Sequence, residues 1–239
     1  MSLSVHSVPM ISKTIHYCWY GQGQKGPLID RCLKSWARVM PDYHVREWNE
    51  DNSPMDSPYV QHAYKEKAWA FLSDYVRLHA LFSEGGIYLD TDVETIKRFD
   101  PLLDDKCFTG FQLQPADTDW VGTAVMGSEP GHPFIERWKG RMVALFEQTG
   151  EFHRSPAIAT EVLRGMGLER YGLQYVSGVR LYPVEYFYPF TWFERFSPRR
   201  IKRDTYAIHH WAGSWTEPPP LPVQAILGLR DILDHLFQR

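Results

Sequence analysis

The sequence predicts an α/β protein with a mixed central sheet flanked by helices. Three observations lead there. Strand-like and helix-like segments alternate from residue 11 onward, the βαβ rhythm of a sheet covered by helices. Over 239 residues, 44% apolar and 23% charged content suffices for a sizeable buried core. Two apolar runs, 14–20 and 87–89, end in a glycine or a carboxylate-rich turn, the place where open α/β sheets hold ligands.

In chain order, Thr14 to Tyr20 is β-branched and aromatic and stops at Gly21, which predicts a strand within 11–20. Ile29, Cys32, Leu33, Trp36, Val39 and Met40 recur at helical spacing and predict a helix over 27–40. A second strand is expected over 43–48, and a short helix after Pro58. The stripe Phe71, Leu72, Tyr75, Leu78, His79 and Phe82 predicts a helix over 68–83. Asp74 borders that stripe and is expected to be paired, with Arg77 one turn away. Gly85 suits the end of this helix and Gly86 the turn into the next strand. Further strands are expected over 94–99, 108–113 and 120–126, and helices over 132–148 and 156–165. Beyond Gly172 come short aromatic strands or loops, then a strand over 206–211 and a last amphipathic helix over 223–237.

The chain reads as a single domain, with a ligand-binding half at 11–127 and an acceptor-side half at 128–239. A net charge of −3 argues against a duplex-binding footprint. Arg195, Arg199, Arg200, Lys202 and Arg203 nevertheless cluster, either as a solvated loop or as a contact for an acceptor phosphate or membrane surface. Three cysteines at no metal spacing fit a reducing compartment. No signal peptide is evident, and no apolar stretch approaches the ~20 residues of a membrane span. A cytoplasmic location is expected, at most peripheral to the inner membrane face.

Asp90-Thr91-Asp92 follows Gly85-Gly86-Ile87-Tyr88-Leu89. Two carboxylates at the end of a buried strand make a hard-oxygen site for Mg²⁺ or Mn²⁺ shared with phosphate. The tripeptide alone says little. Fifteen aspartates in 239 residues give about one Asp-x-Asp by chance, and Asp117-Thr118-Asp119 repeats it. The second copy has no apolar strand before it and reads as a surface loop.

The assembled pattern is more specific. Ser73-Asp74-x-x-Arg77 with Gly85-Gly86-x-Tyr88-Leu89-Asp90-x-Asp92 resembles the signature of glycosyltransferase family 32, the DXD-containing group related to yeast α-1,6-mannosyltransferases and to glucosylating toxin domains. Ile15 to Gly21 and His209-His210-Trp211-Ala212-Gly213-Ser214-Trp215 resemble the same family, in the same order. The resemblance implies a GT-A fold and retaining transfer from a nucleotide-sugar, most simply a UDP-sugar, with Mn²⁺ or Mg²⁺. The acceptor would be a glycan or lipid-linked saccharide in polysaccharide or glycolipid assembly; the length favours a stand-alone transferase over a toxin. It also implies roles. Trp19 would stack on the base, Asp74 and Arg77 would bind sugar hydroxyls, and Tyr88 would line the donor pocket. Asp90 would bridge ribose, sugar and metal-bound water, Asp92 would ligate the metal, and Ser214 and Trp215 would touch the donor.

Without the resemblance, Trp19 reads first as core and Asp74–Arg77 equally as a structural ion pair. His209 and His210 alternate faces on a strand, so at most one can join the metal. His210 is preferred here, because the family uses the residues just beyond it. One departure stands out. The stretch 120–127 lacks the asparagine that the family often carries near Gly122 or Thr123. A non-catalytic nucleotide- or sugar-binding protein on the same fold is the alternative. A HAD-like phosphatase, whose Asp-x-Asp lies on the first strand, fits less well.

Overall fold

The computed structural model describes residues 11–113, 120–192 and 194–213. In order, the elements are β1 (Thr14–Cys18), α1 (Pro27–Val39), β2 (His44–Trp48), α2 (Pro58–Lys65), α3 (Trp69–Glu84), β3 (Gly86–Leu89) and β4 (Val93–Thr95). There follow β5 (Cys107–Gly110), β6 (Val125–Ser128), α4 (Pro133–Thr149), α5 (Ser155–Gly165), β7 (Gln174–Val176), β8 (Val179–Tyr182) and β9 (Ala207–His209). Short 3-10 turns occupy Asp100–Leu102, Val184–Tyr186 and Pro198–Arg200.

Seven strands form one mixed sheet in the order β2-β1-β3-β6-β5-β8-β7. Strand β1 pairs parallel with both β2 and β3, while β3–β6 and β5–β6 run antiparallel. Both halves of the chain therefore contribute to the same sheet. Strands β4 and β9 form a separate antiparallel ladder with Val93 opposite His209. That ladder joins the segment following the carboxylate turn to a strand more than a hundred residues away.

The core lies on both faces of the sheet. On one, Leu72, Val76, Leu81, Phe134, Trp138 and Ile158 unite helices α2 to α5. On the other, Ile15, Trp36, Ile87, Val93, Phe108 and Phe187 pack α1 and β4 against the strands. Helix α3 is buried more broadly than its stripe predicts. Leu72, Asp74, Val76, Arg77, Leu78, Ala80 and Leu81 are buried, whereas Phe71, Tyr75, His79 and Phe82 are only partly so. The reason is its central position, with sheet on one side and α2 and α4 on the other.

The helices fall close to expectation, but the strand expected over 94–99 is confined to Val93–Thr95, and the 120–126 stretch departs further. There Trp120 to Ala124 is irregular apart from one bridge, Val121 to Phe111, and the strand begins at Val125. The 206–211 strand is shorter than expected and gives way to an irregular turn after His209, with Trp211 at φ 55°. The final helix expected at 223–237 lies outside the described residues.

Candidate active site

The site forms where α3, the end of β3 and the end of β9 converge. Helix α3 ends at Gly85, at φ 67°, and Gly86 follows at φ 95°. A Cβ at Gly86 would lie 2.7 Å from the Thr14 carbonyl, so glycine is needed to bring β3 against β1. His16 fixes this corner. Its Nδ1 accepts from Trp48 Nε1 at 3.1 Å, so its Nε2 carries the proton given to the Gly85 carbonyl at 2.9 Å. Burial pushes His16 down to about 4, which keeps it neutral in that role.

Arg77 is buried and fully engaged. Its Nη2 lies 3.0 Å from Asp74 and 3.2 Å from Asp90. Its Nη1 donates to the Thr123 carbonyl at 2.8 Å, and its guanidinium lies 4.5 Å from the Tyr88 ring centre. Tyr88 donates its hydroxyl proton to Asp90 at 3.0 Å. Asp74 is thus paired, as its position on α3 requires. Burial, only partly offset by Arg77, pushes its carboxyl up to about 6. Burial alone would lower Arg77, but Asp90, Asp74 and their neighbours together outweigh it and the guanidinium stays charged.

Asp92 lies one turn onward. It accepts the Ala212 N–H at 2.8 Å and stands 3.3 Å from His209 Nε2. Burial opposes the charge on Asp92, but His209 and the Ala212 N–H outweigh burial and hold it below the usual carboxylate range. Burial likewise disfavours the imidazolium, and Asp92 outweighs burial to raise His209. One oxygen or nitrogen from each of Asp90, Asp92 and His209 lies within 4.8 Å of the others. His209 Nδ1 is buried without a hydrogen-bond partner. Two carboxylates, an imidazole and an orphaned ring nitrogen fit a divalent cation. The imidazole favours Mn²⁺ over Mg²⁺, which prefers oxygen and water.

The preference for His210 is corrected by this geometry. His210 Nε2 faces Glu94 at 2.9 Å and Arg31 at 3.3 Å, on the far side of the ladder from Asp90. Alternation along the strand lets only one of the two histidines turn inward, and that one is His209. Trp19, just past β1, is half-buried, with its indole N–H donated to the Gly23 carbonyl at 2.9 Å. Ser214 and Trp215, and the second triplet Asp117-Thr118-Asp119, lie outside the described residues.

Two contributors were not legible. Tyr188 closes the base of the site, its hydroxyl accepting the N–H groups of Ala124 and Val125 at 3.0 and 3.2 Å. This also accounts for the missing asparagine at position 122. A Cβ on Gly122 would fall 2.3 Å from the Tyr188 ring, so no larger side chain fits. Trp211 packs on His209 with ring centres 4.1 Å apart and walls the cluster on its outer side.

The sheet, its helices and a DXD turn at the end of β3 define a GT-A fold. One solved structure, the PaToxG glycosyltransferase, has this fold with a TM-score of 0.53 at 20% identity, covering 65% of this chain and 69% of that one. Residues 27–109, from α1 into β5, match the family described as glycosyltransferase sugar-binding region containing DXD motif. Among related sequences, inositol phosphoceramide mannosyltransferase 2 of Schizosaccharomyces pombe is 31% identical over 140 residues, 54% of this chain and 37% of that protein. Lactosylceramide 4-alpha-galactosyltransferase of Mus musculus is 29% identical over 191 residues, 74% of this chain and 50% of that protein. The chain thus spans half or less of the length of these two relatives.

Proposed function

We propose that the protein is a metal-dependent, retaining glycosyltransferase that moves a sugar from a UDP-sugar to a hydroxyl of a glycan or lipid-linked saccharide, in polysaccharide or glycolipid assembly. The carrying observation is the convergence of Asp90, Asp92 and His209 beside the Asp74–Arg77 pair at the end of a parallel strand. Asp90, Asp92 and His209 would hold Mn²⁺. When bound, such a cation supplies Lewis-acid neutralisation of charge on a departing diphosphate. Arg77 is fixed by four groups and presents a rigid positive charge and the Asp74 carboxylate to the donor sugar. Tyr88 and Tyr188 keep Asp90 and the backbone at 124–125 in register, so the site is formed in advance of the donor. Retention and the UDP preference rest on the family resemblance. The lipid-linked acceptor is supported by the names of both relatives, which act on ceramide-based lipids. Three buried free thiols, Cys18, Cys32 and Cys107, support a cytoplasmic location.

The test needs no acceptor. A panel of UDP-glucose, UDP-galactose, their N-acetyl forms and GDP-mannose is incubated with Mn²⁺ and scored for slow donor hydrolysis. The expected result is release of nucleotide from one UDP-sugar, abolished by chelation. Tight UDP binding with neither hydrolysis nor transfer to any of a broad acceptor set would favour a catalytically silent binding protein.

A further inference from the structure

The stretch Arg195–Arg203 carries five cations and no acid in a chain whose net charge is −3. It leads from the end of β8 back to β9. Arg199, Arg200 and Lys202, with Ser197 and Glu185, line a shallow recess of about 460 Å³. A second basic surface runs along the outer face of α1, where Arg31, Lys34 and Arg38 line a recess of about 540 Å³ with Lys25. The two surfaces meet at His210. Arg31 approaches its ring nitrogen at 3.3 Å from one side, and the Phe196 ring lies 6.0 Å from it on the other.

Some of these cations are neutralised locally. Lys25 pairs with Glu47, Arg31 with Glu94 and Arg200 with Glu194. Among the described residues, Lys34, Arg38, Arg199, Lys202 and Arg203 make no ion pair. Within the same loop Trp192 is 53% exposed and Phe196 39% exposed, two of the few large apolar side chains open to solvent. Clustered cations with exposed aromatic rings suit the boundary of an anionic bilayer. There the charges meet lipid phosphates and the rings enter the headgroup layer. A soluble polyanion would satisfy the cations but leaves the two rings without a role.

We propose that this continuous face, from the outer surface of α1 across His210 to Trp192 and residues 194–203, docks the protein on an anionic phospholipid surface. The contact is peripheral, since no helix among the described residues is long and apolar enough to cross a membrane. The face adjoins the active site. Trp192 packs against Trp211 with ring centres 5.3 Å apart, and Trp211 against His209 at 4.1 Å. Docking therefore sets the carboxylate–histidine cluster within two ring contacts of the membrane, where a lipid-linked acceptor would lie. The docking itself does not depend on the glycosyltransferase reading.

The test is sedimentation of the full chain with vesicles of phosphatidylcholine alone or mixed with phosphatidylglycerol, at low and high salt. Binding is expected to the anionic vesicles only and to fall with salt. At about one kcal/mol per surface cation, R199Q/K202Q/R203Q lowers partitioning on the order of a hundredfold. The variant K65Q/R137Q/R170Q removes the same charge from exposed positions on other elements and is expected to leave partitioning within about threefold of wild type. W192A/F196A is expected to remove the binding that survives high salt. Donor hydrolysis in solution stays unchanged in R199Q/K202Q/R203Q, which shows that the variant is folded. The proposal is overturned if anionic vesicles do not bind, if both charge variants lose binding equally, or if heparin and RNA bind while vesicles do not. Vesicle binding without donor hydrolysis would sink the enzymatic reading and leave this one standing.

Discussion

Asp92 stands 3.3 Å from His209, and Glu94 stands 2.9 Å from His210, at one end of the same two-stranded ladder, the two histidines being the last residue of β9 and the one after it. The ingredients are the same and the surroundings differ. The first pair faces Asp90, is walled by Trp211 and leaves His209 Nδ1 buried without a partner. The second faces Arg31, whose side chain is more than half exposed, and its charges are already balanced. A carboxylate and a histidine in contact are thus no evidence of a metal site. A second carboxylate converging on the pair, and a buried nitrogen with nothing to bond, make the difference.

The comparison breaks most sharply at the carboxylates. Asp92→Ala removes a proposed metal ligand from the pair with His209 and is expected to lower Mn²⁺-dependent donor turnover on the order of a thousandfold or more. Steady-state kinetics across a Mn²⁺ titration checks this. Turnover near wild type would mean that the cluster at Asp92 does not hold the cation.

A third buried histidine sharpens the contrast, because it has partners on both nitrogens and no carboxylate. His16 is depressed to about 4 from an ordinary value of 6.5. The unfolded chain therefore binds a proton below pH 6.5 that the folded chain refuses until about pH 4. Its contribution to stability is complete above pH 6.5 and is lost as pH falls through that window, by roughly 3 kcal/mol in all. Denaturant melts from pH 7 to 4 should show this acid limb, and His16→Gln should flatten it. An unchanged limb would assign the acid sensitivity to other groups.

His209→Ala tests the imidazole. Loss of an outer partner alone costs about 10- to 100-fold in metal affinity, so loss of a direct ligand is expected to weaken Mn²⁺ by at least tenfold. Calorimetric titration of Mn²⁺ reads this directly. Equal affinity in the variant would reduce the site to its two carboxylates.

These contrasts also show what the sequence could carry. Local periodicity located α1 almost to the residue, as 27–40 against Pro27–Val39, because one side of that helix meets the sheet and the other meets water. The same method misassigned the burial of α3, where packing on two sides removes the period. The carboxylates, Arg77 and the glycine turn were legible because they sit within the 19 residues from Asp74 to Asp92, on a helix and the strand after it. The choice between His209 and His210 was not. It depends on the register of β9 against β4, a pairing across 116 residues that no local pattern encodes. Residues 120–124 misled for a related reason. Their composition suits a strand, but their backbone is spent on the site. Gly122 accepts from Thr109, Thr123 from Arg77 and Ala124 from the Asp90 N–H.

The smallest expected effect falls on the outer pair. In His210→Gln the new amide can still donate to Glu94, and Arg31 stays within 3.5 Å of that carboxylate, so no charge is left buried alone. Mn²⁺ affinity and donor hydrolysis are expected to stay within about twofold of wild type, and stability within about 1.5 kcal/mol, the ordinary range for one intramolecular hydrogen bond. Measured beside His209→Ala, this variant decides the comparison. If His210→Gln loses as much Mn²⁺ affinity as His209→Ala, the two pairs act together and the alternation along β9 does not separate a metal site from its flank.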